Sequence, residues 1–455
     1  MRRPAYQRLA LWASLTVSLT VGAASRDSVN DPSLVARING EPVTLAGLSV
    51  LQRIGGHQEG AAPLNKVLAS LIDNRLLGDY ASRRFDEAAL FPAVGVAFAR
   101  DVAVEDQLIA NLRRVYKAEL EAALAKVGGL DKLVLQRHSP TPQTLETVFP
   151  RTDTVRLDGE LSAAQLGQAG RIPLLDYRLP HGEQGRITLG DIWHRQNIQG
   201  KTQLAGGDAG FREQQAMQLL AGKFVLAWTR RDSGLAIADL DLLRRAIEDR
   251  DRRGALLRLL GVEADMHYSS DHLARLAAAI TSAEVQDYYV AHPAEFKRIE
   301  KVRARHIRCA DAGRCQSAYE KLQHGGDFSE VAKAFSDAED AGQGGELGWL
   351  LPNAGQAPWL NELAFALPPG KPSRPVREPA RDGVASWRIV LVEERREGMQ
   401  PADSEAVRYI ASQALAKRKA VAYFKDLRES LYREADVELN PDALGFRQAA
   451  LPGKE

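Results

Sequence analysis

The sequence predicts an α+β chain, mostly helical, whose clearest strands bracket one module at residues 300–397. Apolar residues recur at helical spacing along most of the chain, and two strand-like runs, 302–307 and 387–392, open and close the module. Composition agrees. A chain of 455 residues, 45% apolar and 26% charged, holds material for roughly two to four domains with cores of their own. Lysine plus arginine number 60 against 59 aspartate plus glutamate, a net charge of +1, so the concentrated positive field that a phosphate backbone requires is missing. No nucleic-acid partner is expected.

Arg2 and Arg3 precede an apolar run over 9–21 and the small residues Gly22, Ala23, Ala24 and Ser25, so residues 1–25 read as a signal peptide cleaved near Ala24 or Ser25. The run is short for a bilayer span, which leaves an uncleaved membrane anchor as the second reading. No later stretch is long and apolar enough to span, and no cysteine near the cleavage site could carry a lipid. The mature chain is expected to be soluble, in the periplasm of a Gram-negative host.

Leu64, Val67, Leu68, Leu71 and Ile72 define one apolar helix face, and alanine-rich helical patterns continue over 102–135. The stretch from Arg137 to Pro142 breaks helix and reads as a boundary. Between 150 and 215, glycines and short strand-like pieces at 172–175 and 185–189 predict loops with modest structure, before helical periodicity returns over 214–280. The dense charges at 244–253 read as a solvated helix face. A last helix over 404–432 carries Val407, Ile410, Ala411, Phe424, Leu427 and Leu431 on one stripe and needs a partner to be stable.

Inside the module, Val302, Ala304 and His306 share one strand face. Asp327 stands at a helix cap and Glu330 at the capping-box position, with Phe328, Val331, Ala332 and Phe335 at helical spacing. There follow Ser336-Asp337-Ala338, the turn Gly344-Gly345-Glu346-Leu347-Gly348-Trp349, Phe365-Ala366-Leu367 ahead of Pro369-Gly370, and Ser373-Arg374-Pro375-Val376. In this order and spacing the segment resembles the parvulin family of peptidyl-prolyl cis-trans isomerases, which implies a βα3βαβ2 fold. Looser likenesses to exported parvulin-type foldases lie at 35–44, 71–77, 281–289 and 427–439.

The resemblance implies an N-terminal helical chaperone lobe at 26–139 and a middle region of unassigned, partly helical fold at 140–270. A linking helix at 271–299 leads to the isomerase domain at 300–397. A C-terminal helix and strand at 398–443 would pack on the N-terminal lobe, so that both chain ends form the helical body, with a tail at 444–455.

The resemblance also places a site. The first parvulin histidine is His306 and the second falls on Arg388, which makes these two the candidate catalytic residues. The family's cysteine or aspartate position falls on Ala338, with Asp337 beside it. Arg388 donates hydrogen bonds but keeps its proton, so it does not share one with His306 as a second imidazole does. Leu347 matches the pocket leucine, Gln356 the place where the family often has methionine, and Leu360, or Trp359 with a loop one residue longer, the aromatic floor; these four are the candidate substrate-binding residues. Without the resemblance, His306 reads as a satisfied strand histidine.

His267 and His272 lack ligand spacing, Ser336 lacks a histidine at motif spacing, and 342–345 lacks the lysine of a phosphate loop, so no metal or cofactor is implied. Cys309 and Cys315, the two cysteines, either pair in an oxidising compartment or remain small buried hydrophobes.

The function implied is an exported prolyl isomerase that assists the folding of secreted or envelope proteins, with unfolded or extended exported polypeptides containing proline as partners. The alternative is a catalytically weakened parvulin-fold chaperone that binds such chains without efficient isomerisation. Rotating a prolyl amide means overcoming about 18–20 kcal/mol of barrier from the partial double bond. No bond need be made; an apolar pocket that takes the carbonyl from water and favours the twisted amide is enough.

Overall fold

The computed structural model describes residues 31–56, 62–92, 98–150, 160–263, 269–352, 358–379 and 386–444. The signal-peptide reading of 1–25 and the candidate Gln356 lie outside the described residues. The described residues form two compact units, one reaching to 263 and resuming at Tyr423, the other Ser269–Ala422.

The strands are β1 (Leu34–Ile38), β2 (Glu41–Thr44), β3 (Val134–Arg137), β4 (Pro173–Arg178) and β5 (Gln184–Thr188). They continue as β6 (Lys297–Cys309), β7 (Glu346–Leu350), β8 (Val376–Arg377), β9 (Trp387–Met399) and β10 (Val437–Leu439).

In the first unit, β10, β1 and β2 form an antiparallel sheet in that order, with Ala36 opposite Leu439 and Ile38 opposite Val437. Strand β10 thus lies against β1, although 397 positions separate Asn39 from Asp436 at their ends. Strand β1 is central, which is why Val35, Ala36 and Ile38 are all buried. The helix Leu45–Gly55 begins at Thr44, whose hydroxyl accepts from the Gly47 amide. The next helix, Leu64–Arg84, sends the face marked by Leu68, Leu71 and Ile72 into a core shared with Val35, Ile38 and Leu431.

A second core of this unit gathers the helices Arg100–Val115 and Ala209–Asp232 around the sheet β3-β4-β5. The strand-like pieces near 172 and 185 are β4 and β5. The helix-breaking stretch from Arg137 ends β3, which pairs with β4, so one sheet holds strands from both sides of residue 140.

The charge run at 244–253 is not the solvated face expected. Asp249 is 0% exposed and pairs with Arg75, itself buried, while Arg245 pairs with Glu41 and Asp79. Helix Ile237–Leu259 packs so closely on Leu64–Arg84 that a Cβ on Gly78 would meet Asp249 Cα at 3.0 Å. Charges carried into such an interface persist only when paired. Burial still pushes the Asp249 carboxyl up to about 6, against the pull of Arg75.

In the second unit, the antiparallel sheet β7-β6-β9-β8 is covered on both faces. Ile307 and Cys309 of β6 and Ile389 of β9 pack with helices Ala312–Gln323 and Phe328–Phe335. On the other face, Val302, Ala304, Val390 and Val392 pack with helix Pro358–Ala366 through Leu360 and Ala364. The order strand, two helices and a 3-10 turn (Glu339–Gln343), strand, helix, two strands is βα3βαβ2 with the third helix reduced to one turn. Cys309 and Cys315 are bonded, with Cα atoms 5.6 Å apart, which decides between the two readings of the cysteines. Beside the module, Val285, Tyr288 and Phe296 form a small core with Val407 and Ala411 from the start of the helix Glu405–Glu434. No helix among the described residues is long and apolar enough to cross a membrane.

Candidate functional site

The site is built where β6, β9 and the turn before β7 meet. Two glycines let that turn close: Gly345 has φ +68°, and its carbonyl accepts from the His306 amide at 2.8 Å. A Cβ on Gly345 would overlap the His306 carbonyl oxygen, so only glycine fits. On the opposite side, Ser373 exchanges bonds with β9: its amide donates to the Val390 carbonyl at 2.7 Å, and its hydroxyl accepts from the Val390 amide at 2.9 Å. This is the local reason for the serine of Ser373-Arg374-Pro375-Val376.

His306 is 4% exposed on the face shared with Val302 and Ala304, and both ring nitrogens have partners. Nε2 lies 2.9 and 3.0 Å from the two Asp340 oxygens, and Nδ1 meets Nη1 of Arg388. A guanidinium only donates, so Nδ1 must accept, and the ring proton sits on Nε2, pointing at Asp340. Burial lowers the His306 pKa first and the Arg388 charge lowers it further, against the opposing pull of Asp340. The imidazole is therefore held neutral in one tautomer.

Arg388 is fixed in turn. Its Nε lies 3.1 Å from Glu378 Oε2 and its Nη2 3.3 Å from Oε1, a two-point clasp. Ser386 donates to the same carboxylate at 2.6 Å. Burial raises the Glu378 pKa, but the bonds from Arg388 and Ser386 outweigh it and leave the carboxyl below its usual value. The result is a chain of contacts Asp340, His306, Arg388, Glu378, Ser386.

The apolar candidates collect beside this chain. Leu347, Trp359 and Leu360 belong to the cluster of Val302, Ala304, Val390 and Val392, and the Arg388 guanidinium lies 5.7 Å from the Trp359 ring centroid. The structure thus brings together His306 and Arg388 by direct contact, with Trp359 against the arginine and Leu347 and Leu360 in the same cluster. Ala338 contributes no polar group, and Asp337 turns away: its carboxylate accepts from the Ala310 amide at 2.8 Å and faces Arg314 at 3.4 Å, tying down the disulfide turn.

Sequence reasoning missed Asp340 and Glu378. Each had a signal. An arginine in place of a histidine against a buried imidazole calls for a carboxylate to balance it, and Glu378 is the acid nearest the start of the charged segment before β9. Asp340 sits two residues past Ala338, within reach of the imidazole because the third helix is reduced to a tight turn.

Residues 304–394 match the Rotamase family, described as the PPIC-type PPIASE domain. Among curated proteins, the chain is 34% identical over 151 residues to Chaperone SurA of Aromatoleum aromaticum, covering 31% of this chain and 33% of that one. It is 37% identical over 99 residues to Foldase protein PrsA of Caldanaerobacter subterraneus subsp. tengcongensis, covering 22% of this chain and 31% of that protein. These alignments span about a third of each relative's length. Among solved structures, a PpiC-type peptidyl-prolyl cis-trans isomerase domain aligns with 23% of this chain and 97% of its own at 25% identity, with a TM-score of 0.19. With the strand order, the paired glycines and the matched segment in agreement, this chain carries a parvulin rotamase domain of the PPIC type.

Proposed function

We propose that the chain is an exported peptidyl-prolyl isomerase that assists the folding of secreted or envelope proteins, acting on extended polypeptides that contain proline. The observation that carries this reading is the convergence of His306 and Arg388 beside the half-buried Leu347 and Trp359, with Leu360 buried in the same cluster. These apolar side chains seat the proline ring. His306 and Arg388, neither free to exchange a proton, present a rigid polar wall that takes the carbonyl from water, and the twisted amide is stabilised by fit and desolvation. Export rests on Arg2, Arg3 and the apolar run that follows them.

A second reading, a parvulin-fold chaperone that binds clients without efficient isomerisation, is favoured by the full occupation of both His306 nitrogens. One experiment separates the two. Prolyl isomerisation of a short peptide is measured with the full chain, with His306→Ala, and with the double change Ala338→Asp, Arg388→His. The isomerase reading expects a measurable rate that His306→Ala lowers, each tenfold loss being about 1.4 kcal/mol of barrier. No rate in the natural chain, together with suppression of client aggregation, establishes the binding reading instead.

A further inference from the structure

Two arginines at the prolyl site share one carboxylate. Arg308 of β6 stands directly opposite Arg388 of β9, which is itself opposite Val376 of β8. Arg308 also lies two positions beyond His306, so strand alternation sends both side chains to one face of the sheet, about 7 Å apart along it. Like charges facing each other across a strand pair repel, and these two are held because Glu378 lies against both. The sharing is unequal. Glu378 accepts two bonds from Arg388 and one from Ser386, while Arg308 approaches it only to 3.5 Å. The Arg308 Nε is buried and, among the described residues, makes no hydrogen bond.

The other charges nearby leave a positive surplus. Asp340 is engaged through both oxygens by His306. The side chains of Arg388 and Glu378 are 13% exposed and that of Asp340 25%, against 43% for Arg308, so the charge that an incoming chain meets first is the Arg308 guanidinium. Arg374 and Arg377, exposed just before and within β8, add two cations with no carboxylate partner among the described residues. Nor is Arg308 loosely placed: its amide donates to Ser336 Oγ at 3.1 Å, and its carbonyl accepts from the Asp337 amide at 2.7 Å. The base of the side chain is fixed while its tip stays partly in solvent.

We propose that Arg308 selects among client chains by pairing with a carboxylate side chain one or two residues away from the proline that the site holds. A guanidinium gives a carboxylate two parallel N–H bonds, a partner that Glu378 already supplies to Arg388 and not to Arg308. One or two residues of extended chain span about 3–7 Å, which suits the spacing from His306 to Arg308. The proposal rests on the reading of His306 and Arg388 as the wall of a prolyl site.

The test uses the full chain and fluorescent peptides that carry one proline and differ at a single neighbouring position, occupied by glutamate, glutamine or lysine and placed before or after the proline. In low salt the glutamate peptide is expected to bind about fivefold more tightly than its glutamine twin in one of the two placements, with the lysine peptide weakest and the difference shrinking at high salt. Where isomerisation is measured, the difference is expected in KM rather than kcat. Arg308→Gln is expected to bring the glutamate-to-glutamine ratio to about one and Arg308→Lys to keep most of it. Arg308→Glu is expected to turn the preference to the lysine peptide, a reversal that a loosened module does not produce. A glutamate preference in binding without any isomerisation leaves this inference standing and removes the isomerase reading. Isomerisation with equal affinity for glutamate and glutamine peptides overturns the inference and leaves the isomerase reading intact. A glutamate preference that Arg308→Gln does not change also overturns it, since Arg374 or Arg377 would then be the source, and no binding of any peptide overturns both readings.

Discussion

The Asp340 carboxylate lies 2.9 Å from Nε2 of His306, two residues beyond Ala338. The imidazole is thus anchored from the turn before β7, and the Arg388 guanidinium on its other nitrogen sets the tautomer. Removing the anchor should be felt in the ring. Asp340→Ala leaves a buried N–H without an acceptor, and is expected to cost about 1–3 kcal/mol of module stability. Asp340→Asn, which keeps an acceptor, is expected to recover much of that. Urea unfolding measures the loss, and imidazole nitrogen shifts should show the proton on Nε2 in the natural chain.

Acidification should act on the two units in opposite directions. The His306 pKa is lowered from 6.5 in the folded state, so the unfolded chain takes up the proton first; this contribution to module stability is full above pH 6.5 and is lost as the pH falls below it. Asp249 is raised from 3.8 to about 6, so the folded state holds the proton more tightly; this contribution is full below pH 3.8 and is lost as the pH rises through about 6. Hydrogen exchange followed unit by unit between pH 7 and pH 5 reads both slopes. A module slope that survives His306→Gln unchanged would reject the assignment to His306.

Two neighbouring glycines should respond differently to alanine. Both have positive φ, +68° at Gly345 and +67° at Gly348. A side chain at Gly348 meets open space, so Gly348→Ala is expected to cost about 1–3 kcal/mol for backbone conformation alone. At Gly345 the new Cβ runs into the His306 carbonyl, so Gly345→Ala is expected to cost several times more and to displace the site. Thermal unfolding of the two variants ranks them; equal losses would show that the turn relaxes freely.

Breaking the buried pair in the first unit should be worse than replacing it. Arg75→Met takes from Asp249, 0% exposed, its hydrogen-bonded cation and leaves it Arg252 at 3.6 Å and Arg245 at 3.8 Å, a loss expected at about 1–3 kcal/mol. Arg75→Met combined with Asp249→Leu removes both charges and is expected to restore most of the stability, as found generally for buried pairs replaced by apolar residues. A denaturant series on the four proteins of this cycle gives the coupling, and additive losses would mean that the contact contributes nothing.

Periodicity alone determined the helix face of Leu68, Leu71 and Ile72 and the strand face of Val302, Ala304 and His306, and the resemblance to the parvulin family implied the role of the paired glycines and the order of the module. These depend on neighbours within a few residues, where helical spacing, strand alternation and positive φ leave a direct mark on residue type. Only the tertiary structure decided that Asp340 rather than Asp337 reaches the imidazole, that Glu378 clasps Arg388, that Cys309 and Cys315 pair, and that Asp249 lies buried in what reads as a solvated charge run. Those facts turn on distances between segments far apart in sequence: His306 and Arg388 are 82 positions apart, and Arg75 and Asp249 are 174. A charged residue's local pattern is the same whether a partner or water will face it, and which of the two it meets is settled when the helices and strands pack.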